Sequence, residues 1–189
     1  VYSQAFQWCS KLMFTVFPKC EMVDYYGFFG CASMVSASFP ECKTIGQAGF
    51  GGCYKLESAY FPKVSFLAER AFENCYTLEK FDFTPVTSMP GSFAFAKCSA
   101  LKEVYAPNLM TSSGYWRAYG AFLSCSVLSR VYMPKLSYTC TSMFQSCPNL
   151  EQVSLPMCIS IASSMFRSCS KLVSLYLLNS SVPNMPYSY

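Results

Sequence analysis

Cysteine spacing is the feature of this sequence that most restricts its fold. Eight cysteines recur at steps of 22, 22, 22, 23, 27, 22 and 22 residues: Cys9, Cys31, Cys53, Cys75, Cys98, Cys125, Cys147 and Cys169. Each follows a phenylalanine by three positions and precedes a leucine or methionine by three. A fixed period of about 20–29 residues is typical of solenoids, in which each repeat forms one coil. The spacing therefore predicts one array of eight Phe-x-x-Cys-x-x-Leu units over residues 1–189.

The residues after each leucine predict one short strand per coil. In the seventh unit, Val153 and Leu155 alternate with the polar residues Gln152 and Ser154, as in a half-buried strand. A proline follows this segment in six units, at Pro18, Pro40, Pro62, Pro107, Pro134 and Pro156. Because proline ends strands and breaks helix interiors, we expect β-rich coils with short turns instead of long helices. Equal coils of 22–27 residues place like strands side by side in a parallel sheet.

Three of the remaining cysteines occupy a second recurrent position. Cys20, Cys42 and Cys158 lie two residues after a proline, where other units carry Val or Leu, and Cys140 fits neither column. This exchange with apolar residues favours buried, reduced thiols. Stacked anchor cysteines nevertheless lie within disulfide reach of one another, so pairing stays open as an alternative.

Composition weighs against catalysis and against several partner classes. The chain has no histidine, which excludes a Ser-His-Asp triad, a Cys-His pair and a histidine metal site. It also lacks a CxxC pair for a cysteine-only zinc site and a phosphate-binding glycine loop. We therefore expect no enzymatic activity, no cofactor and no metal. The net charge of +4 is scattered, which argues against nucleic acid, and no apolar run is long enough for a transmembrane segment.

Two stretches show the complete repeat. They read Ala71-Phe72-Glu-Asn-Cys75-Tyr-Thr-Leu78 and Met143-Phe144-Gln-Ser-Cys147-Pro-Asn-Leu150-Glu-Gln-Val153-Ser-Leu155-Pro156. This pattern resembles the BspA-like, or Treponema-type, leucine-rich repeats, and the resemblance spans essentially the whole chain. The sequence departs from the family pattern in its aromatic second strand position, as at Phe39, and in keeping the usual Ile-Gly only at Ile45-Gly46.

The resemblance implies a leucine-rich repeat solenoid and a location at the cell surface or outside the cell. Members of that family resemble surface-exposed or secreted proteins of bacteria and some protists, and several are similar to adhesins that bind host matrix proteins. No signal peptide is visible at Val1–Phe6. Because the array begins and ends inside repeats, we expect an uncapped fragment of a larger bacterial surface protein.

The outward positions of the strands are candidates for partner binding. Tyrosine fills half of the column four residues after the leucine anchor, at Tyr60, Tyr105, Tyr132 and Tyr176, and Arg130 lies in the column two residues after it. Tyrosine, serine and occasional arginine are typical of adaptable protein-binding surfaces. The alternative is that tyrosine simply suits a half-exposed strand.

A five-residue insertion in the 27-residue unit is a second candidate. It lies within Thr111–Gly120 and carries Tyr115, Trp116, Arg117 and Tyr119, residue types that are frequent at binding hot spots. Alternatively, these aromatic side chains fold back onto the edge of their own coil. Trp8, in the first unit, is interpreted as structural.

Two function classes follow from these observations. The first is an adhesion or recognition module that binds a protein ligand, such as a host matrix or surface protein, through the strand face. The second is a structural spacer or stalk that presents other domains and has no ligand of its own. Glycan binding by the aromatic insertion is a further option, but no paired acids or amides near it support that option.

Overall fold

The chain winds into a parallel β-solenoid, as the repeat predicts. A computed structural model describes residues 1–111 and 118–178. We number the coils by their anchor phenylalanines, from coil one at Phe6 to coil eight at Phe166, so that seven complete turns separate the first anchor from the last. In the described residues the coils consist of short strands and turns without a helix, which confirms the predicted fold class.

The predicted strand of each coil forms the first column of the solenoid. Its strands are β1 (Phe14–Val16), β3 (Ser36–Ser38), β5 (Ser58–Tyr60), β7 (Glu103–Tyr105), β8 (Arg130–Tyr132), β9 (Gln152–Ser154) and β10 (Ser174–Tyr176). All pair in parallel and in register, so that residues at the same repeat position face one another. The middle residue of each strand points into the core, and the two flanking residues point outward.

A second column of strands follows the proline turn. It contains β2 (Met22–Val23), β4 (Thr44–Ile45) and β6 (Phe66–Leu67), which pair in parallel in that order. Isolated bridges continue the same column from Phe66 through Ser88, Thr111 and Tyr138 to Ser160. The sequence predicted a turn in this region, so the second column is an addition to the expected coil.

The first column is interrupted at coil four. Its strands form two sheets, β1-β3-β5 and β7-β8-β9-β10, and residues 79–83 between them form no strand. At the inward position, where β5 has Ala59 and β7 has Val104, coil four carries Phe81, whose ring packs 5.0 Å from Phe72 and 5.1 Å from Phe95. A large ring in this slot displaces the segment from the sheet. The outward surface is therefore divided into two halves.

Each coil closes through a tight turn around its phenylalanine. The residues two before and two after the anchor adopt positive φ in all eight coils, for example Ser142 (55°) and Ser146 (60°) around Phe144. Backbone N–H groups of the turn donate to carbonyls of the following coil, as Phe144 does to Met165 at 3.0 Å. This third line of hydrogen bonds satisfies backbone groups that a helix-free turn would otherwise leave unpaired.

Stacked phenylalanine rings form the centre of the core. The eight anchor rings stack from coil to coil with centroids 4.9–6.0 Å apart, at Phe6, Phe28, Phe50, Phe72, Phe95, Phe122, Phe144 and Phe166. The phenylalanines that depart from the family pattern form a second stack in the first coils, with Phe17 5.2 Å from Phe39 and Phe39 5.3 Å from Phe61. The aromatic strand position thus supplies core packing.

Candidate binding surface

The outward residues of β7 to β10 form a shallow open groove of about 370 Å³. One wall is the row Tyr105, Tyr132, Ser154 and Tyr176, and the other contains Glu103, Arg130, Gln152 and Ser174. The strand backbone at Val104, Val131 and Val153 forms the floor, because the side chains of these residues point into the core. An aromatic wall opposite a polar wall suits the capture of an amphipathic ligand segment.

The tyrosines of this wall are exposed although they belong to an ordered sheet. Tyr105, Tyr132 and Tyr176 are 58 %, 41 % and 51 % exposed. Tyr105 and Tyr132 stack with ring centroids 5.3 Å apart and planes 8° from parallel, and this contact restricts the rotation of both rings. Rings that are already fixed lose little conformational entropy when a partner binds them.

The opposite wall contains one ion pair and one exposed amide group. Arg130 Nη2 donates a hydrogen bond to Glu103 Oε1 on the neighbouring coil, which orients the guanidinium along the wall. Gln152 follows Arg130 in the same row and is exposed. Its side-chain amide offers a donor and an acceptor, the two functions that a peptide group of a ligand needs.

The structure separates the other predicted site residues from this groove. Tyr60 lies on β5, in the N-terminal sheet beyond the interruption. Tyr119 lies at the turn edge of coil six, where its hydroxyl is 3.2 Å from Gln145 Oε1 and its ring is 5.5 Å from the Phe93 ring. Tyr115, Trp116 and Arg117 lie outside the described residues. The groove thus unites Tyr105, Tyr132, Tyr176 and Arg130.

Four groove residues were in the outward columns of the sequence but were not singled out as site residues. They are Glu103, Gln152, Ser154 and Ser174. Their signal was positional, because each shares a register with a predicted site residue. Trp8 is 63 % exposed in the structure, and its ring packs edge-on against Phe29 at 5.0 Å.

The described residues show neither a metal-binding cluster nor a membrane-spanning helix. Within residues 1–111 and 118–178, no group of three or more histidine, cysteine, aspartate or glutamate side chains is placed to hold a metal ion. In the same ranges, no helix has the length and apolar character needed to cross a membrane.

The repeat pattern matches a known family over nearly the whole chain. The match is to the family described as "BspA type Leucine rich repeat region", with six copies over residues 1–116 and 118–186. The chain belongs to the BspA-type leucine-rich repeat family. This membership confirms the resemblance that the Phe-x-x-Cys-x-x-Leu units indicated, and it makes a protein-interaction or structural module the function class of the chain.

Two solved structures of leucine-rich repeat proteins are similar to this BspA-type array. The leucine-rich repeat protein of T. pallidum is 27 % identical, with a TM-score of 0.73 over 86 % of this chain and 79 % of that one. A leucine-rich repeat protein from Bacteroides ovatus is 21 % identical, with a TM-score of 0.73 over 90 % of this chain and 50 % of that one, and it supports the fold alone. No curated protein gives a significant match.

Proposed function

We propose that this chain is a protein-binding module that captures an extracellular ligand through the groove of β7 to β10. The observation that carries the proposal is the exposed pair of Tyr105 and Tyr132, whose rings stack at 5.3 Å along one wall of the groove. Tyrosine is enriched at protein interfaces, where a ring anchors in the partner and the hydroxyl stays hydrated. The groove is open along the sheet, so it suits binding better than catalysis, which needs a water-excluding site.

Adhesion at a bacterial cell surface is the biological setting that we propose for this binding. Family membership and the likeness to the leucine-rich repeat protein of T. pallidum support this setting. A host matrix or surface protein is then the expected class of ligand. We propose that the 189 residues are one repeat array within a larger surface protein.

Replacement of the three groove tyrosines tests the proposal. The variant Tyr105→Ser/Tyr132→Ser/Tyr176→Ser should lose capture by at least about tenfold, because truncation of an interface anchor typically costs about 2 kcal/mol or more. The measurement is surface capture of purified matrix proteins and host surface glycoproteins by the immobilised chain.

A second set of exposed tyrosines provides the matched control. The variant Tyr25→Ser/Tyr54→Ser/Tyr76→Ser removes three exposed rings that lie on the turns, including the stacked pair of Tyr54 and Tyr76 at 5.3 Å. It should capture the ligand as the wild type does. Undiminished capture by the groove variant, or equal loss in both variants, contradicts the proposal.

A structural spacer is the second candidate function. The unbroken stack of eight anchor rings supports it, because the stack stiffens the solenoid whether or not a ligand binds. A wild-type chain that captures no protein of the panel favours the spacer.

A further inference from the structure

The aromatic wall of the groove has one missing ring. In this row, consecutive coils carry Tyr105, Tyr132, Ser154 and Tyr176, and their strands pair in register. The first two rings stack, whereas the small side chain of Ser154 follows where a third ring would continue the series. In the part of the chain that the structure describes, Tyr176 has no aromatic ring in stacking contact.

The missing ring leaves a slot that is two coil steps wide. Paired strands are spaced about 4.8 Å apart, so Tyr132 and Tyr176 are separated by about 10 Å. A single planar ring at the middle of the slot lies about 5 Å from each flanking tyrosine. This separation falls within the range of about 4.5–7 Å at which aromatic rings stack, and it reproduces the 5.3 Å between Tyr105 and Tyr132.

The surroundings of the slot indicate what kind of molecule carries the ring. The backbone of Val131 and Val153 closes the slot from below, and because it is engaged in the parallel pairing of β8, β9 and β10 it offers the entering group no free hydrogen-bond partner. The exposed amide of Gln152, beside the slot, can pair with a peptide N–H and a peptide carbonyl at once. An apolar planar tip next to a peptide group describes an aromatic side chain of an extended polypeptide segment.

We propose that the slot between Tyr132 and Tyr176, above Ser154, receives one aromatic side chain of the protein ligand and thereby completes the tyrosine row. This inference rests on the proposed function and specifies how the groove recognises its partner. The ligand ring stacks on a tyrosine at each face, and the ligand backbone runs along the polar wall.

Peptides that differ in one side chain test the slot directly. The probes are acetyl-Gly-Ser-Tyr-Ser-Gly-amide and the same peptide with leucine in place of tyrosine, titrated into the ¹⁵N-labelled chain. The tyrosine peptide should give saturable shifts of the Val153 and Ser154 amide signals. Its affinity should be about tenfold higher than that of the leucine peptide, because only an aromatic ring stacks on both Tyr132 and Tyr176.

A substitution in the chain that fills the slot provides the second test of the inference. Ser154→Tyr places a ring in the vacant position and should abolish the response to the tyrosine peptide. Ser38→Tyr adds the same ring at the same register of the N-terminal sheet, and it should keep the response. Ser154→Phe is a second filling variant that lacks the hydroxyl group, and circular dichroism verifies that each variant is folded.

Several results would overturn the inference. They are equal affinity for the leucine peptide, a persistent response in both folded Ser154 variants, or signal shifts with methyl glucoside and none with the tyrosine peptide, which would make the slot a sugar site. The two proposals fail separately. If Ser154→Tyr still captures the protein ligand while the triple tyrosine variant does not, the groove binds without the slot. If the triple variant also captures it, the proposed function itself fails.

Discussion

Each anchor cysteine occupies a small buried position that also needs a hydrogen-bond donor. In seven coils its Sγ donates to the carbonyl of the preceding coil's anchor phenylalanine at 3.0–3.3 Å, as Cys53 does to Phe28. The Phe28 carbonyl also accepts the backbone N–H of Cys31 in its own turn. Cysteine is small and apolar yet carries a weak S–H donor, so it can donate to the carbonyl and also pack in the core.

Burial of these thiols predicts that stability decreases at alkaline pH. Burial raises the pKa of the Cys31 thiol to about 11 and that of Cys147 to about 12, from 9.0. The stabilising contribution is complete below pH 9, and it is lost as the pH rises toward the folded-state values, because unfolded thiols ionise first. In that window each such thiol lowers the free energy of unfolding by up to about 1.4 kcal/mol per pH unit.

Urea unfolding in the presence of reductant measures this dependence. The free energy of unfolding should begin to fall at about pH 9, where the thiols of the unfolded chain ionise, and should continue to fall toward pH 11. Cys147→Ala removes one buried thiol, so the free energy of unfolding should fall less steeply with pH, by up to about 1.4 kcal/mol per pH unit. Cys9→Ala, which changes an exposed thiol, is the matched control. Equal slopes in the two variants, or a slope of zero in the wild type, would contradict the prediction.

At the scale of single residues, the sequence predicted positions that recur and missed those that do not. The anchor and second cysteine columns follow from spacing alone. Cys140 is buried, yet it has no equivalent in other coils and therefore no periodic signal. Ser154 was recognised as outward-facing, but its role depends on the absence of a ring between two tyrosines, which is visible only once the register of the strands is known.

The element that repeats most strictly is the turn around the anchor phenylalanine. Its two positive-φ positions are occupied by many residue types, among them Asn74, Lys97 and Ser168, and by glycine at only three sites. A side chain at positive φ costs about 1 kcal/mol or more. The turn is therefore maintained by its inter-coil hydrogen bonds and by the buried ring, not by glycine content.

Two glycines in this turn provide a matched pair for a stability prediction. Gly30 and Gly52 both have φ of +73°. A Cβ at Gly52 meets nothing closer than 3.5 Å, so Gly52→Ala should cost only the left-handed strain, about 1 kcal/mol. A Cβ at Gly30 lies 2.3 Å from Trp8 Cε3, so Gly30→Ala should also displace the indole from Phe29.

Urea unfolding and tryptophan emission distinguish the two effects. In a Trp116→Phe background, Trp8 is the only indole of the chain. Gly30→Ala should shift Trp8 emission and lose about 1 kcal/mol more than Gly52→Ala, the approximate value of an aromatic contact. Unchanged emission in Gly30→Ala would show that the indole does not pack on this turn.

Elements were predictable where a local pattern specifies them. The first strand column follows from alternation before a proline, a signal that six units carry. The second column has strands of two residues, such as Thr44–Ile45, too short for a period to be recognised. The interruption in coil four depends on how the Phe81 ring packs against Phe72 and Phe95, a tertiary effect that alternation does not encode.

At the scale of the whole molecule, the contacts that matter most for stability join neighbouring coils. The described salt bridges include three that connect acidic and basic residues one coil apart, Glu21 with Lys43, Glu41 with Lys63 and Glu79 with Lys102, at 2.6–3.0 Å. All are exposed and each contributes about 1 kcal/mol at most. The stacked phenylalanine rings stabilise the array more than these ion pairs do, because the rings are buried, and they connect the coils in a line.

This linear arrangement predicts that the same substitution has different effects at a fully buried anchor ring and at a half-buried one. Phe72 is fully buried and its ring contacts those of Phe50, Phe61, Phe81 and Phe95 at 5.0–5.9 Å. Phe166 is half-buried and stacks on Phe144 at 6.0 Å. Phe72→Ala should therefore cost about 3–5 kcal/mol, and Phe166→Ala about 1 kcal/mol.

Denaturant unfolding gives the two losses, and amide hydrogen exchange gives their range along the array. Phe166→Ala should accelerate exchange mainly in coil eight, at amides such as Leu175, because the half-buried Phe166 ring contributes less to the contact between coils than a fully buried ring does. Phe72→Ala should accelerate exchange on both sides of coil four, because it weakens two coil interfaces at once. If the two variants lost equal stability, the array would unfold as one globular unit and nearest-neighbour stacking would not describe it.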